Sequence, residues 1–315
     1  MKPGLLILQA RPQKVLQALS RDFQVHDLAR ADDPDAMLRE VAPHIRGIVT
    51  NGRHGAGAEL IAALPNLEII CCFGVGFESV DLASVRARNI MLTNAPGTND
   101  VGVVEMALLL MLAVARDIIG NDRFVRADRW RAGRGHPPRG HTIAGKRLGV
   151  VGLGRIGAGI ARRATALDMT VAYYGPRGKP EVAYRYYPEI SRLAADSDYL
   201  VLSCPGGADT YHLVDQAVLK ALGTGGVLIN VARGSVADPV ALIAALKDGT
   251  IAGAGLDVFE GEPNLPEELF ALKNVVLAPH MGAITEEALD NGTALLLDNL
   301  RAHFTGKPVL TPVES

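Results

Sequence analysis

The chain has 315 residues, of which 48% are hydrophobic, with a formal net charge of −2 and three cysteines. That length allows two domains or one large one, and the apolar content is ample for packed cores, which excludes a disordered chain. A charge this close to zero leaves no footprint for nucleic acid or another polyanion, and Cys71, Cys72 and Cys204 show neither C-x-x-C nor zinc-type spacing, so they read as small buried side chains in a reducing compartment with no metal.

At the N-terminus one lysine, Pro3-Gly4 and the apolar run 5–8 make too short a stretch for a signal-peptide core, and charge resumes at Arg11; a cytoplasmic location is expected. Apolar runs then alternate with helical patterns. Strands are expected at 5–8, 24–28, 47–50, 67–72 and 91–94, with helices at 13–20, 34–41, 58–64 and 82–88. Residues 99–120 read as one long apolar helix closed by Gly120, and Glu105 and Arg116-Asp117 bracket its apolar stretch well short of a membrane span. Residues 121–142, rich in arginine and carrying Gly133, Gly135, Pro137 and Pro138, break the rhythm and read as an extended arm. A second β-α series follows, with strands at 148–151, 170–174, 199–203, 227–231, 253–258 and 275–277, and helices at 156–167, 188–195, 215–222 and 238–247. A last helix, 285–305, stops at Gly306 and is expected to pack back on the first domain. The expected fold is α/β: two Rossmann-like domains with parallel sheets, a dinucleotide-binding domain (98–285) inserted into a discontinuous substrate domain (1–97 plus 286–315).

The most informative motif lies mid-chain. Val150-Val151-Gly152-Leu153-Gly154-Arg155-Ile156-Gly157 follows a short buried strand and opens a helix, which is the context a G-x-G-x-x-G needs to bind a dinucleotide. Gly152 permits the tight turn, Gly154 lets the backbone approach a pyrophosphate, and Gly157 lets the helix pack closely, its N-terminus turned to the phosphates. An NAD site of this type needs an acid at the end of the next strand, near Gly175. The sequence there is Tyr173-Tyr174-Gly175-Pro176-Arg177-Gly178-Lys179-Pro180, with no acid and two cations. Arg177, and more weakly Lys179, suit a 2′-phosphate, so NADP(H) is expected over NAD(H); the alternative is a solvated basic turn.

Three later stretches stand at strand ends, where an open α/β sheet presents residues to its ligand crevice. They are Asn230-Val231-Ala232-Arg233-Gly234, Gly255-Leu256-Asp257-Val258-Phe259-Glu260-Gly261-Glu262-Pro263, and Ala278-Pro279-His280-Met281-Gly282. Together with the mid-chain nucleotide turn, these ordered motifs resemble the D-isomer-specific 2-hydroxyacid dehydrogenase family over essentially the whole chain. Within that family the chain is most similar to the glyoxylate/hydroxypyruvate reductases, members of which often prefer NADPH.

The resemblance implies reduction of a small 2-oxo acid, in which hydride reaches the carbonyl carbon while its oxygen gains a proton. His280 is then the acid, since imidazole exchanges a proton near neutral pH. Glu262 holds the ring and favours imidazolium, and Arg233 grips the substrate carboxylate and polarises the carbonyl. Each has a plain structural alternative: a surface arginine, a loop glutamate, a structural histidine. Glu262 also separates the chain from the formate dehydrogenases of the superfamily, which carry glutamine in the partner role.

By the same resemblance, the amides of Val75 and Gly76 cradle the substrate carboxylate, where a simple strand-to-helix turn is the alternative. Arg53, after another strand facing the same cleft, touches either substrate or solvent. Asp257 and the Val231 carbonyl would bind the nicotinamide carboxamide, Thr98 and Val101 would sit by the nicotinamide and phosphates, and Cys204-Pro205 would flank the adenosine. Ala232, Thr210 and Gly282 belong to the same cofactor-facing stretches, and Asp257 has turn or capping as its alternative. The segment Pro205-Gly206-Gly207-Ala208-Asp209-Thr210 departs from the commoner family pattern, which has Leu-Thr after the proline. Trp130, in the arginine-rich arm, would reach the neighbouring site of a homodimer built on the nucleotide domain, or else pack in a local core. Two other readings stay open: a reductase of larger, aryl or branched 2-oxo acids, and a nucleotide-sensing protein like the corepressors that share the fold.

Overall fold

The computed structural model describes residues 2–133 and 135–313; Arg134 of the expected arm lies outside them. The chain divides into two compact units, residues 1–99 with 285–315, and residues 100–284.

The first unit runs β1 (Gly4–Ile7), α1 (Gln13–Ser20), β2 (Gln24–Asp27), α2 (Pro34–Val41), β3 (Ile45–Thr50), α3 (Ala58–Ala63), β4 (Ile69–Cys72), α4 (Leu82–Ala87) and β5 (Met91–Thr93). Its strands are all parallel, in the order β2-β1-β3-β4-β5. Both faces are covered, which is why the central strands read as unbroken apolar runs. Leu5, Ile7, Val49 and Ile69 pack with Val15 and Leu19 on one side, and Leu6, Ile48 and Ile70 pack with Ile61, Leu64 and Val85 on the other. Burial pushes the Cys71 and Cys72 thiols up to about 12, so neither is a nucleophile at neutral pH. The strand order reverses between β1 and β3, so the carboxyl ends of those two strands open the crevice of this sheet.

The second unit runs α5 (Asp100–Arg116), α6 (Ile118–Arg126), β6 (Arg147–Val151), α7 (Arg155–Ala166), β7 (Thr170–Tyr174), β8 (Arg185–Tyr187), α8 (Ile190–Ala195), β9 (Tyr199–Leu202), α9 (Gln216–Leu222), β10 (Val227–Asn230), α10 (Pro239–Lys247), β11 (Gly253–Leu256), α11 (Glu268–Ala271) and β12 (Val275–Leu277). Its parallel sheet has the order β12-β11-β10-β9-β6-β7-β8. The reversal falls between β6 and β9, the place where a doubly wound sheet receives a dinucleotide.

The closing helix, α12 (Glu286–Phe304), belongs to the first unit, where Leu296, Leu297 and Leu300 join the core of Leu5, Ile7 and Val15. The two domains of the expected α/β fold are therefore present, with the second inserted into the first.

Two local expectations are corrected. The helix expected over 99–120 breaks at Asp117, not at Gly120. Asp117 takes a left-handed φ of +44° and its side chain accepts from the Gly120 N–H at 3.2 Å, so an aspartate cap restarts the chain as α6. The arm is consequently helical from 121 to 126, supported by an Arg126–Asp122 pair at 2.8 Å across one turn. β8, a three-residue edge strand, was not foreseen, since so short a run has no readable period.

The segment after α12 is tied down by Asn299, which is 1% exposed. Its Oδ1 accepts from Leu310 N at 2.8 Å and Thr311 N at 3.1 Å, and its Nδ2 donates to Thr311 Oγ1 at 2.9 Å. Asn299→Ala leaves the part-buried N–H groups of Leu310 and Thr311 without their acceptor and should cost about 1 kcal/mol. Thermal and urea unfolding of the variant should show a lower-melting first unit; an unchanged transition would deny that this tie matters.

Candidate active site

The fingerprint turn has the shape a pyrophosphate requires. Gly152 sits at φ +91°, a conformation closed to most side chains, and a Cβ there would lie 2.7 Å from Cys204 Cα. A Cβ on Gly157 would lie 2.1 Å from Gly152 O, which is the close helix–strand packing expected of the third glycine. At Gly154 a Cβ would meet nothing within 4 Å, so the backbone there faces open space. Gly154 also starts α7 without a side-chain cap, which leaves the first-turn N–H groups, Ile156 and Gly157 among them, to an outside acceptor. These observations fit a dinucleotide. Ser203 Oγ, bonded to Gly152 O at 2.9 Å, fastens the end of β9 to the turn. Arg155 Nε is held by Asp100 Oδ2 at 2.7 Å, tying α7 to the start of α5 near the exposed Val101.

The basic turn after β7 divides its two cations. Arg177 is exposed and makes no hydrogen bond or ion pair among the described residues. Lys179 is half-buried, and its Nζ donates to Leu153 O at 2.7 Å, inside the fingerprint itself. Of the two readings, the solvated basic turn does not hold for Lys179, whose charge lies on the glycine turn, while Arg177 is exposed. After β9, Thr210 Oγ1 closes its segment by donating to Pro205 O at 2.8 Å, and burial raises the Cys204 thiol to about 11.

The three strand-end stretches follow neighbouring strands, β10, β11 and β12, and the sheet order brings residues far apart in sequence side by side. His280 Nδ1 lies 2.6 Å from Glu262 Oε1, while Glu262 Oε2 accepts from the Phe259 N–H at 3.2 Å. The carboxylate is thus fixed from one side and holds the imidazole through Nδ1 from the other, with Nε2 outside this contact. His280 adopts φ +58°, unusual for a side chain of this size. Asp257, only 2% exposed, accounts for it: its carboxylate accepts from Met281 N at 2.7 Å and from Gly282 N at 2.8 Å, and its carbonyl accepts from His280 N at 2.8 Å. Burial raises the Asp257 carboxyl above its ordinary value, and the two amides pull it back. Of the two roles weighed for Asp257, turn-holding is the one its contacts display.

Arg233 stands in a loop ordered by Asn230, which sequence reasoning missed as a site residue. Asn230 is 2% exposed, accepts from Ala232 N at 3.0 Å and donates to Arg233 O at 3.1 Å. The Arg233 guanidinium donates to Ala232 O at 2.8 Å. Gly206 seats the arginine stem, since a Cβ there would lie 2.8 Å from Arg233 Cγ. Gly234 brings the arginine loop against the glutamate loop: a Cβ on it would lie 1.9 Å from the Phe259 carbonyl carbon. Val231 is buried at the strand end.

In the first unit, Gly52 and Gly76 touch, a Cβ on Gly52 falling 2.4 Å from the Gly76 carbonyl carbon, so the Arg53 and Val75-Gly76 turns are neighbours. Asn94 Nδ2 donates to Val75 O at 2.7 Å and Ala95 N donates to Gly74 O at 2.7 Å. Among the described residues no acceptor takes the Val75 or Gly76 N–H. Thr98 Oγ1 is engaged by Ala95 O at 2.9 Å. Trp130 joins none of these groups; it is 61% exposed, which excludes a local core role.

Residues 108–282 match the model for "D-isomer specific 2-hydroxyacid dehydrogenase, NAD binding domain". The glyoxylate/hydroxypyruvate reductase A of Arabidopsis thaliana is 42% identical over 310 residues, 98% of each chain. The hydroxyphenylpyruvate reductase of Plectranthus scutellarioides is 45% identical over the same share. An NADPH-dependent glyoxylate/hydroxypyruvate reductase of Sinorhizobium meliloti, solved with NADP and malonate, superposes with a TM-score of 0.90 at 36% identity, covering 99% of this chain and 97% of that one. The chain belongs to the D-isomer-specific 2-hydroxyacid dehydrogenases, an enzyme family with an NAD-binding domain.

Asp257→Asn tests the turn. An amide offers one acceptor oxygen and points an NH2 at the other N–H, so the His280 turn should loosen and turnover fall roughly tenfold or more. Steady-state kinetics beside a melting curve reads this; turnover equal to wild type would mean that the two amides do not set the position of His280.

Proposed function

We propose that this enzyme reduces small 2-oxo acids, glyoxylate to glycolate and hydroxypyruvate to D-glycerate, with NADPH. The observation that carries the reading is the Glu262–His280 contact at 2.6 Å, with the Glu262 loop packed against the Arg233 segment. Bound NADPH supplies the hydride to the carbonyl carbon. Arg233 binds the carboxylate of the substrate through its planar fork and draws charge from the neighbouring carbonyl. His280, as imidazolium held by Glu262, gives its Nε2 proton to the carbonyl oxygen as the alkoxide forms. In the first unit, the N–H groups of Val75 and Gly76, with Arg53 beside them, are assigned to substrate binding. Asp257, Val231, Ala232, Gly282, Thr98, Val101, Cys204, Pro205 and Thr210 are assigned to the cofactor, which α7 receives at its N-terminus.

NADPH is preferred in this reading because the turn after β7 has no acid to bind a ribose diol and offers Arg177 to a 2′-phosphate, with Lys179 adding charge at the glycine turn. The S. meliloti reductase, described as NADPH-dependent, supports it. The second unit also leaves Leu109, Leu112, Ile118, Ile119, Val125 and Trp130 exposed on and after α5 and α6, apolar surface that suits the homodimer we assign. Three free cysteines suit the reducing cytoplasm we assign to it. A second reading, an aryl 2-oxo acid as substrate, is favoured by the 45% identity to the hydroxyphenylpyruvate reductase.

Initial rates test this directly. With hydroxypyruvate, kcat/KM should be at least about 100-fold higher than with an analogue lacking the carboxylate, which loses both orientation and carbonyl polarisation. Arg177→Ala should raise KM for NADPH and leave NADH kinetics nearly unchanged. Equal rates with the carboxylate-free analogue would overturn the site assignment, equal use of both cofactors by the wild type would overturn the NADPH preference, and phenylpyruvates outpacing hydroxypyruvate would favour the aryl reading.

A further inference from the structure

The second unit contains another histidine–glutamate contact, outside the set assigned to chemistry. His212 Nε2 lies 2.8 Å from Glu260 Oε2. Like His280, His212 takes a left-handed backbone, φ +48°. Its ring is stacked by Tyr211, with centroids 3.9 Å apart and planes 16° from parallel. Its N–H donates to Ser235 O at 2.8 Å, and the next contact along, Val214 N to Val236 O at 2.9 Å, continues the attachment.

The two partners of His212 matter. Ser235 stands just after Arg233 and Gly234, in the segment that follows the carboxylate clamp. Glu260 stands in the loop that carries Glu262. One residue is therefore bonded through its backbone to the arginine segment and through its ring to the glutamate loop. Gly234 already fixes how closely these segments approach, because it has no room for a Cβ against Phe259 and Glu260. Close approach alone leaves the glutamate loop free to slide along the arginine segment; a directional contact from a ring stacked in place stops that motion. Upstream, the chain leads from His212 to Thr210 and Pro205, assigned to the adenosine side.

We propose that His212 is a positioning residue of the reductase: through Glu260 it holds the 259–262 loop against the 233–236 segment, and so keeps the Glu262 carboxylate under Nδ1 of His280. This rests on the reading of Glu262 and His280 as the catalytic couple. A partly exposed ion pair adds little to stability. Catalytic geometry is less forgiving, since a displacement of about 1 Å can cost on the order of 100-fold in rate. The contact should therefore show itself in turnover more than in melting temperature.

The test uses the full-length protein with His212→Ala, His212→Gln and Glu260→Gln. His212→Ala should lower kcat about tenfold with the best 2-oxo acid, while the dinucleotide Kd from NADPH fluorescence and the melting temperature stay close to wild type. His212→Gln should recover most of the turnover, because its amide still donates to Glu260, and Glu260→Gln should do the same from the other side. Wild-type kcat in His212→Ala would overturn the proposal. So would a loss that His212→Gln does not restore, or one matched by a fall in melting temperature. If His212→Ala does not fold, the two glutamine variants decide: near wild-type kcat in both supports a hydrogen-bonded brace, and collapse in both overturns it. Wild-type turnover of a 2-oxo acid reports on the functional reading, and the ratio of variant to wild type reports on the brace, so the two fail separately.

Discussion

Asp257 accepts the N–H groups of Met281 and Gly282 through its two carboxylate oxygens, and the turn that presents His280 depends on that contact. A left-handed backbone at a non-glycine residue costs of order 1–3 kcal/mol and persists only where its surroundings overdetermine it. Here the surroundings are a buried anion and the neighbouring strand end. Burial makes the carboxyl harder to ionise, and two N–H groups on its oxygens offset that by favouring the charged form. With the turn fixed, the imidazole meets Glu262 through Nδ1, and Nε2 stays outside that contact. Without it, a histidine in a loop would sample many orientations, and Glu262 would have nothing to hold.

The sheet supplies the rest of the precision. β10, β11 and β12 are neighbours in order, so the segments leaving their carboxyl ends emerge together, and Arg233, Glu262 and His280 need only short loops to converge. Glycine sets the spacing between those loops. Gly206 gives the arginine stem a bare backbone to lie on, and Gly234 presses the arginine segment onto the glutamate loop. At Gly206, the departure from the commoner family pattern is packing beneath the Arg233 side chain. The same economy serves the cofactor side, where the β6–β9 reversal places the fingerprint beside Ser203 and Cys204.

Much of this was legible in the sequence because its signals are local. Alternating apolar runs and helical stretches define parallel β-α units, and a glycine triplet between strand and helix defines the nucleotide turn. The strand-end stretches carry Arg233, Glu262 and His280 in recognisable company. What was not legible depends on partners far along the chain or on competing local chemistry. Asp117 restarts a helix where Gly120 looked like its end, because an aspartate side chain can cap what glycine only permits to stop. Asp257 reads as a nicotinamide ligand, with capping as its alternative, until its two amide partners, 24 and 25 residues on, are known. Lys179 reads as a second cation for a 2′-phosphate, and that its Nζ donates to Leu153 O, 26 residues earlier, is not visible in the sequence. Asn230 and His212 carry no signal of their own; the first is one polar residue ending an apolar strand, and the second meets its glutamate 48 residues away.

We propose this chain as a D-specific, NADPH-dependent reductase whose proton would come from His280 and whose substrate would be gripped by its carboxylate. One product analysis bears on that claim most directly: hydroxypyruvate reduced with NADPH, and the glycerate resolved on a chiral column. The account predicts D-glycerate alone, formed in step with NADPH oxidation. L-glycerate, a racemic product, or NADPH oxidation without glycerate would contradict it.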